Sequence, residues 1–231
     1  MRTYVYGKPH DTRDIFEDHL NPAATAIVSI DMHRGHLDPS PHCPCPAPRA
    51  REIVEPIDTF HDAARALGVP IIHVRSVLRR GGVDDIRGIS SAWRRTFPIY
   101  VGEIPNSDAH AIEGSPWTEF VTRVDPADLI VETKKRLSAF YPTDLDFLLR
   151  NMRIESLVLN GGFTDCCILN TAFDASNRNY RVIVARDLVR GTDEHLESAA
   201  LAMVSLHLGL VADSADILAE WRARRVGQNA A

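Results

Sequence analysis

Short apolar runs, rich in β-branched residues, punctuate the chain at Ala24–Ile30, Val69–Val74, Asp128–Val131, Leu157–Leu159, Arg181–Ala185 and Leu210–Ala212. Runs of this length without polar alternation read as strands buried on both faces. Between them, apolar positions recur at helical spacing over Ala50–Leu67, Asp144–Asn151, Cys166–Asn177, Glu194–Leu208 and Ser214–Arg224, with Gly68 and Gly209 placed as helix stops. Strand and helix alternate, which predicts an α/β chain with right-handed crossovers. Six such strands favour a doubly wound, mainly parallel sheet of order 3-2-1-4-5-6, numbered along the chain, with helices on both faces.

Two stretches break the rhythm. Five prolines between Pro39 and Pro48 forbid helix or central strand and predict a loop. Residues 78–126 mix Gly81, Gly82, Pro98, Pro105 and Pro116 with Trp93 and Trp117, without clean periodicity. An insertion of that kind is expected to cover the substrate rather than to form a second domain. The expectation is therefore one domain over 1–231, with residues 1–22 as an N-terminal extension.

Composition narrows the function classes. A net charge of −5, with basic residues scattered from Arg2 to Arg225, offers no field for nucleic acid or anionic lipid. The N-terminal segment has no apolar core of a signal peptide and no apolar run is long enough to span a bilayer, so a cytoplasmic protein with a small-molecule substrate is expected. The cysteines form local pairs, Cys43 with Cys45 and Cys166 with Cys167, which suits free thiols rather than a disulfide framework.

In a doubly wound sheet the ligand crevice lies at the carboxyl ends of the strands, where the winding direction reverses. Three unusual segments fall there. Asp31 closes the first strand, Lys134 follows the third, and Gly161–Cys167 follows the fourth. A thiol in the first turn of a helix sits among unpaired N–H groups that favour a thiolate and can hold an oxyanion. The bland alternative is a pair of small buried hydrophobes. Asp31, flanked by apolar residues, must be paired or shifted in pKa; it suits a base for a thiol, or else a turn cap. Lys8, Lys134 and Lys135 are the only lysines, so two of them directly after a strand are not this chain's default way of solvating a surface.

The stretches AIVSIDMHRGHLDP, ETKKRLSAFYPTDLDFLLR and LVLNGGFTDCCILNTAFDASNRNYRVIVARDLV together resemble the signature blocks of the isochorismatase-like cysteine hydrolases. This group includes nicotinamidases, N-carbamoylsarcosine amidase, biuret hydrolase and ureidoacrylate amidohydrolase. The family's T-[DS]-x-C pattern falls on Thr164, Asp165, Cys166 and Cys167, and K-x-x-x-S-A-F falls on Lys134, Ser138, Ala139 and Phe140. The resemblance thus implies a catalytic triad of Asp31, Lys134 and Cys167, and a cis peptide between Gly162 and Phe163. It further implies an oxyanion hole from the backbone of Phe163 and Cys167.

The activity that the resemblance implies is that of a cysteine-dependent amidohydrolase. Its substrate is expected to be a small linear amide or ureide, N-carbamoyl, biuret-like or ureidoacrylate-like. His36, Trp93 and Tyr141 are candidates for substrate contact. No cofactor is implied, and no metal: the D-x-H…H cluster of nicotinamidases is missing after Pro70–Ser76. His73 reads as a core histidine, and Cys43-Pro44-Cys45 is too tight for a zinc knuckle. The resemblance also implies a homodimer or homotetramer, as is common among similar proteins. The competing readings are isochorismatase-type vinyl-ether hydrolysis, and a non-catalytic binding or metal-sensing protein using His33, His36, Cys43 and Cys45.

Overall fold

The computed structural model describes residues 1–12, 14–84 and 95–229. An antiparallel hairpin, β1 (Arg2–Val5) and β2 (Lys8–Asp11), precedes the main sheet. The main sheet holds β3 (Thr25–Ile30), β4 (Ile71–Ser76), β5 (Leu129–Lys134), β6 (Ser156–Gly162), β7 (Arg181–Arg190) and β8 (Gly209–Ala212). Its order is β5-β4-β3-β6-β7-β8 and every pairing is parallel. Numbered within the sheet this is 3-2-1-4-5-6, so the winding reverses between β3 and β6, as the alternation of strand and helix predicts.

β3 shows why a continuous apolar run makes a central strand. All six of its residues are buried, with Ile27 packing on one face of the sheet and Ala26, Val28 and Ile30 on the other. The first face is covered by the helix Val54–Ala66 and by the C-terminal helix Ser214–Asn229, whose fully buried Trp221 stacks on Phe60. The second is covered by Leu145–Asn151 and Leu169–Asn177. Two-sided burial fails at β5. As the edge strand it exposes Ile130, Glu132 and Thr133 and buries only Val131 and Lys134, so the apolar run there reflects one face alone.

Other departures from the periodicity lie at element ends. The helix expected from Cys166 begins as a wide π-type turn over Thr164–Ile168, and the one expected to reach Leu208 ends in another over Val204–Leu208. β7 runs five residues past the predicted Ala185, and the N-terminal extension forms the hairpin, which docks near the end of β8 through Tyr4 Oη donating to Asp213 at 2.9 Å. His73 is buried and contacts Asp128 through Nε2 at 2.9 Å, in keeping with a core histidine. No helix among the described residues is long and apolar enough to cross a membrane.

Candidate active site

Neighbouring strands deliver the chemistry side by side. Asp31 follows β3, Ser76 ends β4, Lys134 ends β5, and the turn after β6 carries Cys166 and Cys167. A bulge between Val74 and Ser76 shifts the register so that Ser76 lies opposite Lys134. Asp31 takes up the left-handed region at φ +55°, which aspartate tolerates better than most residues and which turns the chain out of the sheet. Gly161 lies opposite Ile30 at φ +113°, where a Cβ would stand 2.2 Å from the Ile30 carbonyl oxygen. Only glycine lets β6 approach β3 this closely beside Asp31.

The three residues meet through the lysine. Lys134 Nζ donates to Asp31 Oδ2 at 2.6 Å, to Ser76 Oγ at 3.0 Å and to Cys167 Sγ at 3.5 Å. Asp31 Oδ1 in turn accepts from the Ser76 backbone N–H at 3.2 Å and from its hydroxyl at 3.3 Å. Asp31, Lys134 and Cys167 are all buried, and each borders a cavity of about 290 Å³. That volume lies at the small end of ligand pockets, roughly 300–1,000 Å³, and suits a compact substrate.

Burial opposes charge on Asp31, but the Lys134 ammonium and the nearby histidines outweigh it and hold the carboxyl well below its usual range. Burial likewise opposes charge on Lys134, and Asp31 with Cys167 pushes it up instead. The Cys166 side chain and burial raise the Cys167 thiol far above its ordinary value, against the pull of Lys134. Cys166 and burial thus favour the protonated thiol of Cys167, while Lys134 favours its thiolate. Lys134 is already engaged by Asp31, and the wide turn at Thr164–Ile168 stands where a regular first helical turn was expected.

The turn bearing the cysteines is held from outside. Asp165 accepts from the Thr192 backbone N–H at 2.7 Å and from its hydroxyl at 2.8 Å, tying the turn to the loop after β7. The Gly162–Phe163 peptide is cis, and Phe163 lines the cavity. Lys135, which the chain's shortage of lysines marks out, pairs with Asp84 at 3.1 Å and donates to the Val77 carbonyl at the cavity's edge.

The candidate substrate-contact residues divide. His36 is buried and lines the cavity. Tyr141 does not: its side chain is 58% exposed, because the preceding Phe140 takes the inward position and stacks on Tyr180, leaving Tyr141 turned to solvent. Trp93 lies outside the described residues. From residues 78–126, Leu78, Phe97 and His110 reach the cavity. Sequence reasoning missed Ser76 and His110. Ser76 carried no signal beyond its place at a strand end, and His110 sits in a stretch without periodicity.

A family model described as the isochorismatase domain matches residues 25–216. The chain is 28% identical over 165 residues to the N-carbamoylsarcosine amidase of Arthrobacter sp, covering 71% of this chain and 58% of that protein. It thus spans less than two thirds of that relative. It is 30% identical over 173 residues to the maleamate amidohydrolase of Pseudomonas putida, covering 74% of this chain and 75% of that one. A solved cysteine hydrolase from Pseudomonas syringae pv. phaseolicola superposes with a TM-score of 0.76 at 25% identity, over 89% of this chain and 95% of that one.

Proposed function

Because the chain belongs to the isochorismatase family of hydrolases, we propose that it is a cysteine-dependent amidohydrolase that cleaves the C–N bond of a small linear amide or ureide. One observation carries this reading: a single buried ammonium touches both a carboxylate and a thiol beside a ligand-sized cavity. That is the arrangement of a nucleophile with its base and an orienting cation. The names of similar proteins, an N-carbamoylsarcosine amidase and a maleamate amidohydrolase, point to the same bond type.

In the proposed reaction Asp31 takes the Cys167 proton as the sulfur attacks the substrate carbonyl carbon. Lys134 holds the developing thiolate and keeps Asp31 aimed at it. The carbonyl oxygen, now negative, moves toward the backbone N–H groups of Phe163 and Cys167. The tetrahedral intermediate collapses, the C–N bond breaks, and the proton held by Asp31 leaves with ammonia or the amine. Water then attacks the thioester, giving its proton back through Asp31, so that the acid departs and the thiol is restored. Leu78, Phe97 and His110 line the cavity and shape the space left to the substrate. Vinyl-ether hydrolysis gains no support from this geometry, since it gives the buried thiol no task.

The test is ammonia release across a panel of N-carbamoyl, biuret-like, ureidoacrylate-like and maleamate-like amides. Cys167→Ala is expected to abolish turnover and Cys166→Ala to keep most of it. If both variants hydrolyse the preferred amide like the parent, Cys167 is not the nucleophile.

A further inference from the structure

Next to the proposed triad lies a group of side chains that the hydrolytic steps leave unused. His33 caps the short helix Arg34–Leu37 and His36 lies within it, and their rings lie 4.6 Å apart between centroids. His110 comes from 74 residues further on and stands 4.8 Å from the His36 ring and 5.9 Å from the His33 ring. Its loop is fastened beside β4 by Leu78, whose N–H donates to the Ala111 carbonyl at 2.7 Å and whose carbonyl accepts from Glu113 at 2.8 Å. One ring nitrogen from each histidine falls within 4.8 Å of those of the other two.

The hydrogen bonds set the direction of the lone pairs. His36 Nδ1 lies 2.9 Å from the Cys45 carbonyl oxygen, an atom that can only accept, so Nδ1 carries the proton and Nε2 the lone pair. His33 is held differently. Its Nδ1 lies 2.9 Å from the Trp117 carbonyl, which favours a proton there, and 3.2 Å from the Gly35 N–H, which favours a lone pair, so these contacts do not fix its tautomer. His33 Nε2 is fully buried, without a hydrogen-bond partner and 3.8 Å from Asp31 Oδ1. A buried ring nitrogen without a partner, beside a carboxylate oxygen and out of water, calls for a further partner, which a bound cation supplies. Backbone carbonyls gripping Nδ1 so that Nε2 is presented is also how proteins orient histidine ligands around a metal.

We propose that His33, His36 and His110 form a binding site for one divalent transition-metal ion of the zinc class. Tetrahedral coordination at metal–nitrogen distances of about 2.0–2.1 Å places ligand nitrogens about 3.3 Å apart. His36 Nε2 and His110 Nε2 stand at 3.3 Å. A set of neutral imidazoles selects zinc, cobalt, nickel or copper over calcium or magnesium, which want oxygen. His36 and His110 border the cavity while His33 is fully buried, so an ion on this set offers its remaining position to a water or a polar atom of a bound ligand. Asp31 adds favourable negative charge, partly offset by the Lys134 ammonium on its other oxygen. The site stands whether or not Cys167 is a nucleophile.

The experiment is metal content and cobalt spectroscopy on the full-length chain. Protein stripped with a chelator and dialysed against micromolar zinc is expected to retain one equivalent per chain by mass spectrometric metal analysis. His36→Ala and His110→Ala, verified as folded by circular dichroism, are expected to weaken zinc binding by roughly tenfold or more. Cys167→Ala and the double Cys43→Ser, Cys45→Ser variant should keep it. With cobalt in place of zinc, the visible bands of a four-coordinate ion should appear without a near-ultraviolet thiolate band. Failure of the parent chain to retain zinc, or a thiolate band that vanishes in a cysteine variant, overturns the proposal.

Discussion

Replacing Lys134 with methionine keeps the volume of the side chain and removes its charge. The parent pair is dry, with side-chain exposures of 2% for Lys134 and 0% for Asp31, and its contact is short at 2.6 Å. Deleting one member of a buried pair leaves the other as an uncompensated charge, which typically costs about 3–5 kcal/mol. A domain's whole stability is about 5–15 kcal/mol, so Lys134→Met is expected at the edge of folding. Neutralising the partner as well should recover most of the loss. In Asp31→Asn with Lys134→Met, the asparagine oxygen still accepts from Ser76 and no buried charge is left unpaired, so the double variant is expected within about 1–2 kcal/mol of the parent. Urea unfolding followed by circular dichroism gives the three free energies, with an unchanged slope showing that the unfolding transition is the same. If Lys134→Met alone costs less than about 1 kcal/mol, or if the double variant is no better than the single, the buried ion pair is not what the geometry shows. Both variants should lack amidase activity, which separates folding from chemistry.

Other parts of the fold carry their own expected outcomes. Gly161→Ala forces a Cβ to 2.2 Å from the Ile30 carbonyl at φ +113°, backbone against backbone with nowhere to move. It should cost more than about 4 kcal/mol and show as loss of soluble, cooperatively melting protein. At Asp128, burial pushes the carboxyl up, but Arg65 and His73, together with the Asp125 N–H, outweigh it and hold it at about 2. A folded pKa below the unfolded one means the unfolded chain binds more protons between about pH 2 and 4, so this contribution is full above that window and fades as pH falls through it. Asp128→Asn should therefore be less stable than the parent at pH 7, with the gap narrowing toward pH 3; a gap that stays constant in urea titrations contradicts this.

How much of the molecule was legible beforehand depended on the kind of signal. Central strands such as β3 and β6 are buried on both faces, so the chain writes them as unbroken apolar runs and the sheet order can be read from them. β5 misled because an edge strand can carry apolar residues that the sheet does not cover, as Ile130 does. Asp31, the Lys134–Lys135 pair and the Cys166–Cys167 pair could be nominated because strand ends at a winding reversal collect chemistry and because lysine is scarce in this chain; the choice of Lys134 and Cys167 within the pairs came from the family resemblance. The surroundings of the thiol could not, since they depend on the Asp31–Lys134 contact and on the wide turn at Thr164–Ile168. His33 and His36 were visible as metal-competent side chains. Their third partner was not, because only the docking of residues 110–120 against Leu78 and His33 brings His110 to them.

The proposed chemistry rests on which sulfur becomes acylated. The decisive measurement is tandem mass spectrometry of peptides from enzyme quenched during turnover of its preferred amide, using the parent and the Cys166→Ala variant. An acyl mass increment is expected on Cys167 in both proteins and absent from Cys167→Ala. An increment on Cys166, or one that persists in Cys167→Ala, contradicts the mechanism.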